Sequence, residues 1–175
     1  MRAIAMGYRD PAYVIFDGDE DAWAYRFMRG WKANERVEFD FRDAHDLDSM
    51  TSRAQGEYYV KKHLRDRMQR SACVIVLIGE KTKNLYRYVR WEIELAIQLN
   101  LPIIGVNLNN VNGVDSSRCP ALLRSSCAVY VPYKRAAIKH ALDYWPAEYQ
   151  RLSANEKQQG ARSYPDANYR DWMSS

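Results

Sequence analysis

The stretch Cys73-Val-Ile-Val-Leu-Ile78, followed by Gly79, decides the fold of this 175-residue chain. An unbroken apolar run of this length, rich in β-branched residues, is typical of a strand buried on both faces. A second run, Leu101-Pro-Ile-Ile-Gly-Val106, has the same character. Strands of this kind belong to parallel sheets that helices cover on both sides.

Three further segments are predicted to be strands of the same sheet, namely residues 12–16, 37–41 and 128–131. Between the strands, apolar residues recur with the period of a helix, so each connection is expected to turn one apolar stripe toward the sheet. The stripes are Trp23, Phe27 and Trp31; Val60, Leu64 and Met68; Leu85, Val89, Ile93 and Ile97; and Ile138, Ala141, Leu142 and Trp145.

Pro146 follows the last stripe and is predicted to end that helix, because proline lacks the N–H that a helix interior uses. Strand and helix thus alternate about five times along the chain. This order predicts an α/β fold with a central parallel sheet of about five strands and helices on both faces.

In such sheets, ligands bind beyond the carboxyl ends of the strands, at the point where the strand order reverses. The first loop there, residues 17–21, holds four acids and has no glycine fingerprint for dinucleotides. These acids suit ribose hydroxyls or a metal, or they favour the start of the next helix through its dipole. The second loop carries Arg42, Asp43, His45 and Asp46, which suit the hydroxyls and phosphates of a ligand.

Glu92 stands out within the third predicted helix. At about 100° per residue it lies roughly 40° from Ala96 and 60° from Val89, at the edge of the buried stripe. Glu94 points well away from that stripe. Glu92 is therefore either a functional carboxylate or a half-exposed partner of Arg87 or Arg90.

Composition excludes several classes of protein. The formal net charge is +4 with acids and bases interleaved, so no clustered basic face indicates nucleic acid. Three cysteines show no metal-ligand spacing, and no segment resembles a signal peptide or a membrane helix. We expect a cytoplasmic protein without a bound metal, without a membrane anchor and without a nucleic-acid partner.

The last part of the chain differs from the rest. Residues 1–149 are predicted to form the sheet domain, and residues 150–175 a polar and aromatic tail. Within the tail, residues 153–160 are predicted to be a loop. The aromatic residues near the end indicate that the tail packs back on the domain or on another subunit.

Several motifs together resemble the bacterial TIR-like family, which includes the TIR-like protein of the Thoeris anti-phage system. The resemblance covers residues 12–110, and the Trp-Glu-Ile segment followed by the Pro-Ile-Ile-Gly-Val strand is its most specific part. The motifs are Tyr13-Val-Ile-Phe16, Val74-Ile-Val-Leu-Ile-Gly79, Tyr88-Val-Arg-Trp-Glu-Ile93 and Pro102-Ile-Ile-Gly-Val-Asn107.

The resemblance implies a flavodoxin-like TIR fold and cleavage of the bond between nicotinamide and ribose in NAD. It makes Glu92 the catalytic residue, with Tyr88 at the place where the family often has tryptophan. NAD is then substrate and no resident cofactor is expected. The residues expected to contact NAD are Asp17, Asp43, His45, Gly79, Tyr88 and Trp91.

The family further implies an NAD glycohydrolase or ADP-ribosyl cyclase-type enzyme of antiviral defence. Its cyclic or conjugated ADP-ribose product would reach a separate effector by diffusion. A phage-derived protein is the expected trigger, and association with further copies is expected. Two alternatives stay open: a non-catalytic TIR-like interaction module, and a nucleoside glycosyl-transferring enzyme of similar fold.

Overall fold

The computed structural model describes residues 11–34, 42–43, 56–84 and 88–175. Five parallel strands form one sheet in the order β2-β1-β3-β4-β5. The strands are β1 (Pro11–Ile15), β2 (Arg42–Asp43), β3 (Cys73–Ile78), β4 (Ile103–Asn107) and β5 (Ala128–Pro132). The helices are α1 (Ala22–Ala33), α2 (Gly56–Gln69), α3 (Tyr88–Gln98), α4 (Ala121–Arg124), α5 (Arg135–Arg151), α6 (Ala154–Gln158) and α7 (Asp166–Ser174), with a 3₁₀ turn at Thr82–Asn84.

The strand order 2-1-3-4-5 is that of flavodoxin-like proteins, so the predicted α/β architecture is confirmed. The run from Cys73 to Ile78 is the central strand, and all six of its residues are buried. The second strand differs from the prediction. Arg42 and Asp43, expected in a loop, pair with Pro11 and Ala12 of β1, whereas residues 37–41 lie outside the described residues.

Helices cover the sheet on both sides, as the alternation of side chains along each strand requires. Ala12 and Val14 of β1 belong to one core cluster, together with buried residues of α1, α5 and α7. Tyr13 and Ile15 belong to the other, together with buried residues of α2, α3 and α4. Each face of the sheet therefore has its own core. Alternate residues of a strand point to opposite faces and so pack against different helices.

For two of its three residues, the apolar stripe predicted for α1 is shifted by one position along the chain. Ala24 and Met28 are the buried residues of this helix, whereas Trp23 is 41% and Phe27 61% exposed. A step of one residue turns the helix by about 100°, so Trp23 and Phe27 turn away from the sheet. Trp31, the third ring of the predicted stripe, packs against the first core cluster. The small Ala24 and the unbranched Met28 let the helix approach the strands closely.

Two other helix predictions need correction. Ile97 of α3 is 38% exposed, while Val89 and Ile93 are buried as expected; Leu85 lies outside the described residues. Helix α5 continues through Pro146 to Arg151. The last turn is retained because Trp145 and Tyr149 on either side of Pro146 are buried, and their burial offsets the missing hydrogen bond.

The C-terminal segment is more ordered than its composition indicates. The loop predicted at 153–160 contains helix α6, which begins with a capping box between Ser153 and Glu156. Tyr169 and Trp172 of α7 are buried in the first core cluster. The Tyr169 hydroxyl donates to the Tyr130 carbonyl at 2.8 Å, which ties α7 to β5.

Candidate functional site

The strand order reverses between β1 and β3, since the chain runs outward from this pair in both directions. The loops after these two strands therefore flank the crevice where open α/β sheets bind ligands. Both loops belong to the described part of the chain. They contain two predicted contact residues, Asp17 and Gly79.

Asp17 organises the loop that follows β1. Its Oδ1 accepts the backbone N–H of Asp19 at 3.0 Å, and its carbonyl accepts the N–H of Asp21 at 2.8 Å. Asp17 is buried, whereas Asp19 and Glu20 are exposed. Glu20 forms an ion pair with Lys81 of the neighbouring loop, so the two loops are joined at their surface. These acidic residues therefore stabilise the turn and join it to the neighbouring loop.

Asp21 lies against the loop after β3. Its Oδ2 accepts from the Thr82 hydroxyl at 3.4 Å, and that hydroxyl accepts the N–H of Gly79 at 2.8 Å. A Cβ on Gly79 would lie 2.2 Å from the Asp21 carboxylate, so this approach requires glycine. Burial, and secondarily the charge of Asp17, raises the pKa of Asp21 to about 6. A carboxyl that titrates near neutrality therefore lies at the switch point.

Glu92 lies deeper, between α3 and the sheet. It is 4% exposed, and its Oε1 accepts a hydrogen bond from the Tyr13 hydroxyl of β1 at 2.5 Å. Arg90 instead pairs with Glu94 at 3.0 Å on the exposed side of the helix. The alternative that Arg90 is the partner of Glu92 is wrong, because the two side chains point about 160° apart around the helix. Arg87, the other predicted partner, lies outside the described residues.

Of the other predicted contact residues, two lie on the helix of Glu92, one lies in β2 and one lies outside the described residues. Tyr88 is one helical turn before Glu92 on the same face, and both Tyr88 and Trp91 pack against the second core cluster. Lys61 of α2 lies over the Trp91 ring at 5.5 Å. Asp43 pairs with Ala12, next to Tyr13 along β1. His45 lies outside the described residues.

The structure thus forms two groups of polar residues. The first group lies beyond the carboxyl ends of β1 and β3 and consists of Asp17, Asp21, Gly79 and Thr82. The second group lies between α3 and β1 and consists of Glu92 and Tyr13. Asp17 follows Tyr13 by four residues, which in an extended chain corresponds to roughly 13 Å. A ligand that touches both groups would extend from the loops after β1 and β3 toward α3.

Sequence reasoning did not single out Tyr13, Asp21 or Thr82 as site residues. Tyr13 offered one signal: a hydroxyl in an otherwise apolar strand needs a partner when it is buried. The partner is 79 positions away, so the pattern of the strand alone does not reveal it. Asp21 is one of four acids in its loop, and its residue type does not set it apart from Asp17 and Asp19.

Two cavities lined by described residues lie away from these two polar groups. One of about 280 Å³ is lined by Val89, Arg90 and Ile93 of α3 and by residues of α4. Another of about 360 Å³ lies at the amino ends of β4 and β5, where it is lined by Asn100 and Cys127 among others. In the described ranges no group of three His, Cys, Asp or Glu side chains is placed to hold a metal, and no helix has the length and apolarity to cross a bilayer.

The strand order and the two core clusters define a flavodoxin-like α/β protein, with a buried glutamate on the helix after its third strand. The chain belongs to the family described as Thoeris protein ThsB, TIR-like domain, whose sequence profile matches residues 13–113. The resemblance to the bacterial TIR-like family is therefore confirmed, and with it membership of an antiviral defence family.

One solved structure that resembles the chain is that of Clostridium botulinum CMP N-glycosidase, BcmB. The TM-score is 0.49 at 13% sequence identity. The alignment covers 76% of this chain and 97% of that one.

Proposed function

We propose that this protein cleaves NAD at the bond between nicotinamide and ribose, with Glu92 as the catalytic residue. The observation that carries the proposal is the carboxylate of Glu92, buried between α3 and the sheet and fixed by the Tyr13 hydroxyl at 2.5 Å. A preorganised charge in a site with little water interacts strongly with charge that develops during a reaction.

The chemistry needs a carboxylate and no general acid for departure. The glycosidic C–N bond breaks, its electron pair goes to nitrogen, and nicotinamide leaves as a neutral molecule. The ribose then carries positive, oxocarbenium-like charge, which the Glu92 carboxylate stabilises. Water adds at the same carbon and releases a proton, giving ADP-ribose; an internal nucleophile or a second small molecule instead gives a cyclic or conjugated product.

The proposed substrate contacts follow the two polar groups of the site. Asp43, Tyr88 and Trp91 would contact the nicotinamide riboside end near Glu92. Asp17 and Gly79 would contact the remainder of the nucleotide at the edge of the sheet. His45 is proposed as a contact on the strength of the family resemblance, since it follows β2 by two residues.

The family supports a wider role in defence against phage. We propose that the product is a diffusible signal, cyclic or conjugated, that activates a separate effector in the cytoplasm. Because unchecked consumption of NAD would harm the host cell, basal turnover is expected to be low. A phage-derived protein is the proposed trigger, and association with further copies the proposed means of activation.

The decisive experiment compares two glutamates of one helix. Nicotinamide release from NAD is measured for the wild type, Glu92→Gln and Glu94→Gln, each with and without lysate of phage-infected cells. Glu92→Gln keeps the shape and can still accept from Tyr13, so folding is retained while release falls by at least about a hundredfold. Glu94→Gln is expected to stay within a few fold of wild type, because Glu94 faces Arg90 at the surface.

Equal activity in the two variants would remove Glu92 from the reaction. Absence of nicotinamide release from the wild type in both conditions would favour the non-catalytic interaction module. Base release from nucleosides at a higher rate than nicotinamide release from NAD would instead favour a nucleoside glycosyl-transferring enzyme. Full activity in the dilute, untreated protein would contradict the proposed trigger but leave the cleavage reaction intact.

A further inference from the structure

Helix α1 presents a row of aromatic rings at the surface. Trp23 and Phe27 are 41% and 61% exposed, and their ring centroids lie 6.2 Å apart at an interplanar angle of 76°. The ring of Tyr133 lies 5.5 Å from Trp23 and 5.2 Å from Trp31. These four rings are called the aromatic row below. The catalytic proposal uses none of them.

The aromatic row is held rigidly. The Tyr133 hydroxyl donates to the backbone carbonyl of Ala24 at 2.6 Å, and Ala24 is itself buried against the sheet. Trp23 and Phe27 together leave about 200 Å² of aromatic surface to solvent. A surface that is already ordered loses little conformational entropy when a partner binds.

Positive charge lies beside the row. Arg26 and Arg29 are exposed on α1, with the Arg29 guanidinium 6.0 Å from the Tyr25 ring centroid. The sequence of α1 contains three basic residues and no acidic one. Arg26 follows Trp23 by three residues and so lies beside it, whereas Arg29 lies about 160° from Phe27 around the helix.

We infer that the aromatic row and Arg26 form a docking surface for an acidic segment of another protein, one that carries apolar side chains. Aromatic and arginine side chains are the residues that contribute most at protein interfaces. The opposite charge of the segment would complement Arg26, and its apolar side chains would cover Trp23 and Phe27.

The geometry of the rings favours protein over single-stranded nucleic acid. Successive bases stack on open ring faces. Here Trp23 meets Phe27 at 76° and Tyr133 at 72°, so neighbouring rings block one another's faces. Ridges of side chains at a four-residue spacing are instead what an amphipathic helix packs against. The inference does not depend on NAD cleavage, since it concerns binding alone.

The test uses the full chain and a fluorescein-labelled 16-residue helical peptide. The peptide carries leucine and phenylalanine at four-residue spacing and glutamate at the flanking positions. Fluorescence anisotropy at physiological salt is expected to show binding, and the same peptide with lysine in place of glutamate is expected to bind at least tenfold more weakly. The double variant Arg26→Glu, Phe27→Ser should lose at least tenfold in affinity.

The matched control is the double variant Tyr58→Ser, Arg65→Glu on α2. Tyr58 is 83% exposed, and this variant removes an aromatic ring and reverses a charge elsewhere on the surface. It should bind the acidic peptide with wild-type affinity. Because the altered side chains of both variants are exposed, both are expected to keep the wild-type melting temperature.

Three results would overturn the inference. One is no measurable binding of the acidic peptide to the wild type. The second is an equal loss of affinity in the α1 and α2 variants, which would indicate a general effect of net charge. The third is tighter binding of a 16-nucleotide thymidine oligomer or of anionic phospholipid vesicles, lost in the α1 variant alone, which would assign the surface to that other class of partner.

Discussion

Two buried carboxylates, Glu92 and Asp21, occupy different regions of this molecule. Glu92 lies between a helix and the sheet, where the Tyr13 hydroxyl donates to it. Asp21 lies at the edge of the sheet beside Thr82, with the charge of Asp17 close by. Both are nearly inaccessible to solvent, yet their surroundings differ. Glu92 accepts a hydrogen bond from a hydroxyl group in the core, whereas Asp21 accepts one from a hydroxyl group and also lies near a like charge.

The difference separates two uses of a buried acid. A carboxylate that a core hydroxyl group holds in one orientation is suited to stabilise charge on a substrate. A carboxylate whose pKa is raised to about 6 exchanges a proton near neutral pH and so makes stability depend on pH. Three substitutions test this comparison, beginning with the largest expected effect.

Removal of the Tyr13 hydroxyl should affect Glu92 most. Tyr13→Phe takes a donor from a buried carboxylate and is expected to lower the unfolding free energy by about 2–3 kcal/mol. NAD cleavage should fall about tenfold, because Glu92 loses an orienting contact. Tyr130→Phe is the matched control: Tyr130 is also fully buried, but its hydroxyl donates to the Leu123 carbonyl.

Both variants are measured by urea denaturation and by nicotinamide release. Together the two measurements distinguish an effect on the orientation of Glu92 from an effect on the stability of the fold. Tyr130→Phe should lose stability to a similar extent while it keeps its turnover at a temperature where both variants are folded. Equal loss of turnover in the two variants would mean that Tyr13 acts only through packing.

Neutralisation of Asp21 should change the pH dependence of stability. The folded pKa of about 6 lies above the ordinary 3.8, so between these values the folded state holds a proton that the unfolded chain lacks. The unfolding free energy of the wild type therefore declines as pH rises through this window. Above about pH 6 the folded state bears the whole free-energy cost of holding Asp21 ionised. Asp21→Asn should remove that decline and be more stable than wild type by about 2 kcal/mol at pH 7.

The measurement is urea denaturation at pH 4, 5, 6 and 7. Asp19→Asn, an exposed acid in the same loop, serves as the control and should follow the wild-type profile. If the Asp21→Asn and wild-type curves ran parallel across this range, the assigned environment of Asp21 would be wrong.

A methyl group at Gly79 should have the smallest effect of the three. Gly79→Ala places a Cβ where the Asp21 carboxylate lies, so that side chain must rotate away from Thr82. The expected loss is about 1 kcal/mol of unfolding free energy. A second sign is more specific: the stability profile should lose part of its dependence on pH, because Asp21 becomes better hydrated. The double variant with Asp21→Asn tests this, since its losses should be less than additive.

Much of the fold could be predicted from the sequence because each strand carries its own signal. The apolar run at Cys73–Ile78 matched the central strand residue for residue. The phase of α1 could not be predicted in this way, since Trp23 and Ala24 are both apolar and differ only in how closely they let the helix approach. Pro146 showed that burial of neighbouring rings can outweigh a local rule.

The site was predictable only in part. Helical period placed Glu92 at the edge of the buried stripe, whereas the structure buries it between Leu95 and Ala96 around the helix, with 4% of its surface exposed. Its partner Tyr13 comes from a strand far away in sequence, and such a pairing depends on how α3 packs across β1. The roles of Asp17, Asp43, His45, Gly79, Tyr88 and Trp91 toward NAD stay predictions.

The hydrophobic core extends beyond the residues that the family profile matches, which affects how this protein can be truncated. The profile ends at residue 113, but β5 completes the sheet along the whole of β4, and Trp172 closes one side of it. A fragment that stopped at residue 113 would leave β4 as a bare apolar edge, which invites pairing between chains. The unit that folds is therefore larger than the segment that identifies the family.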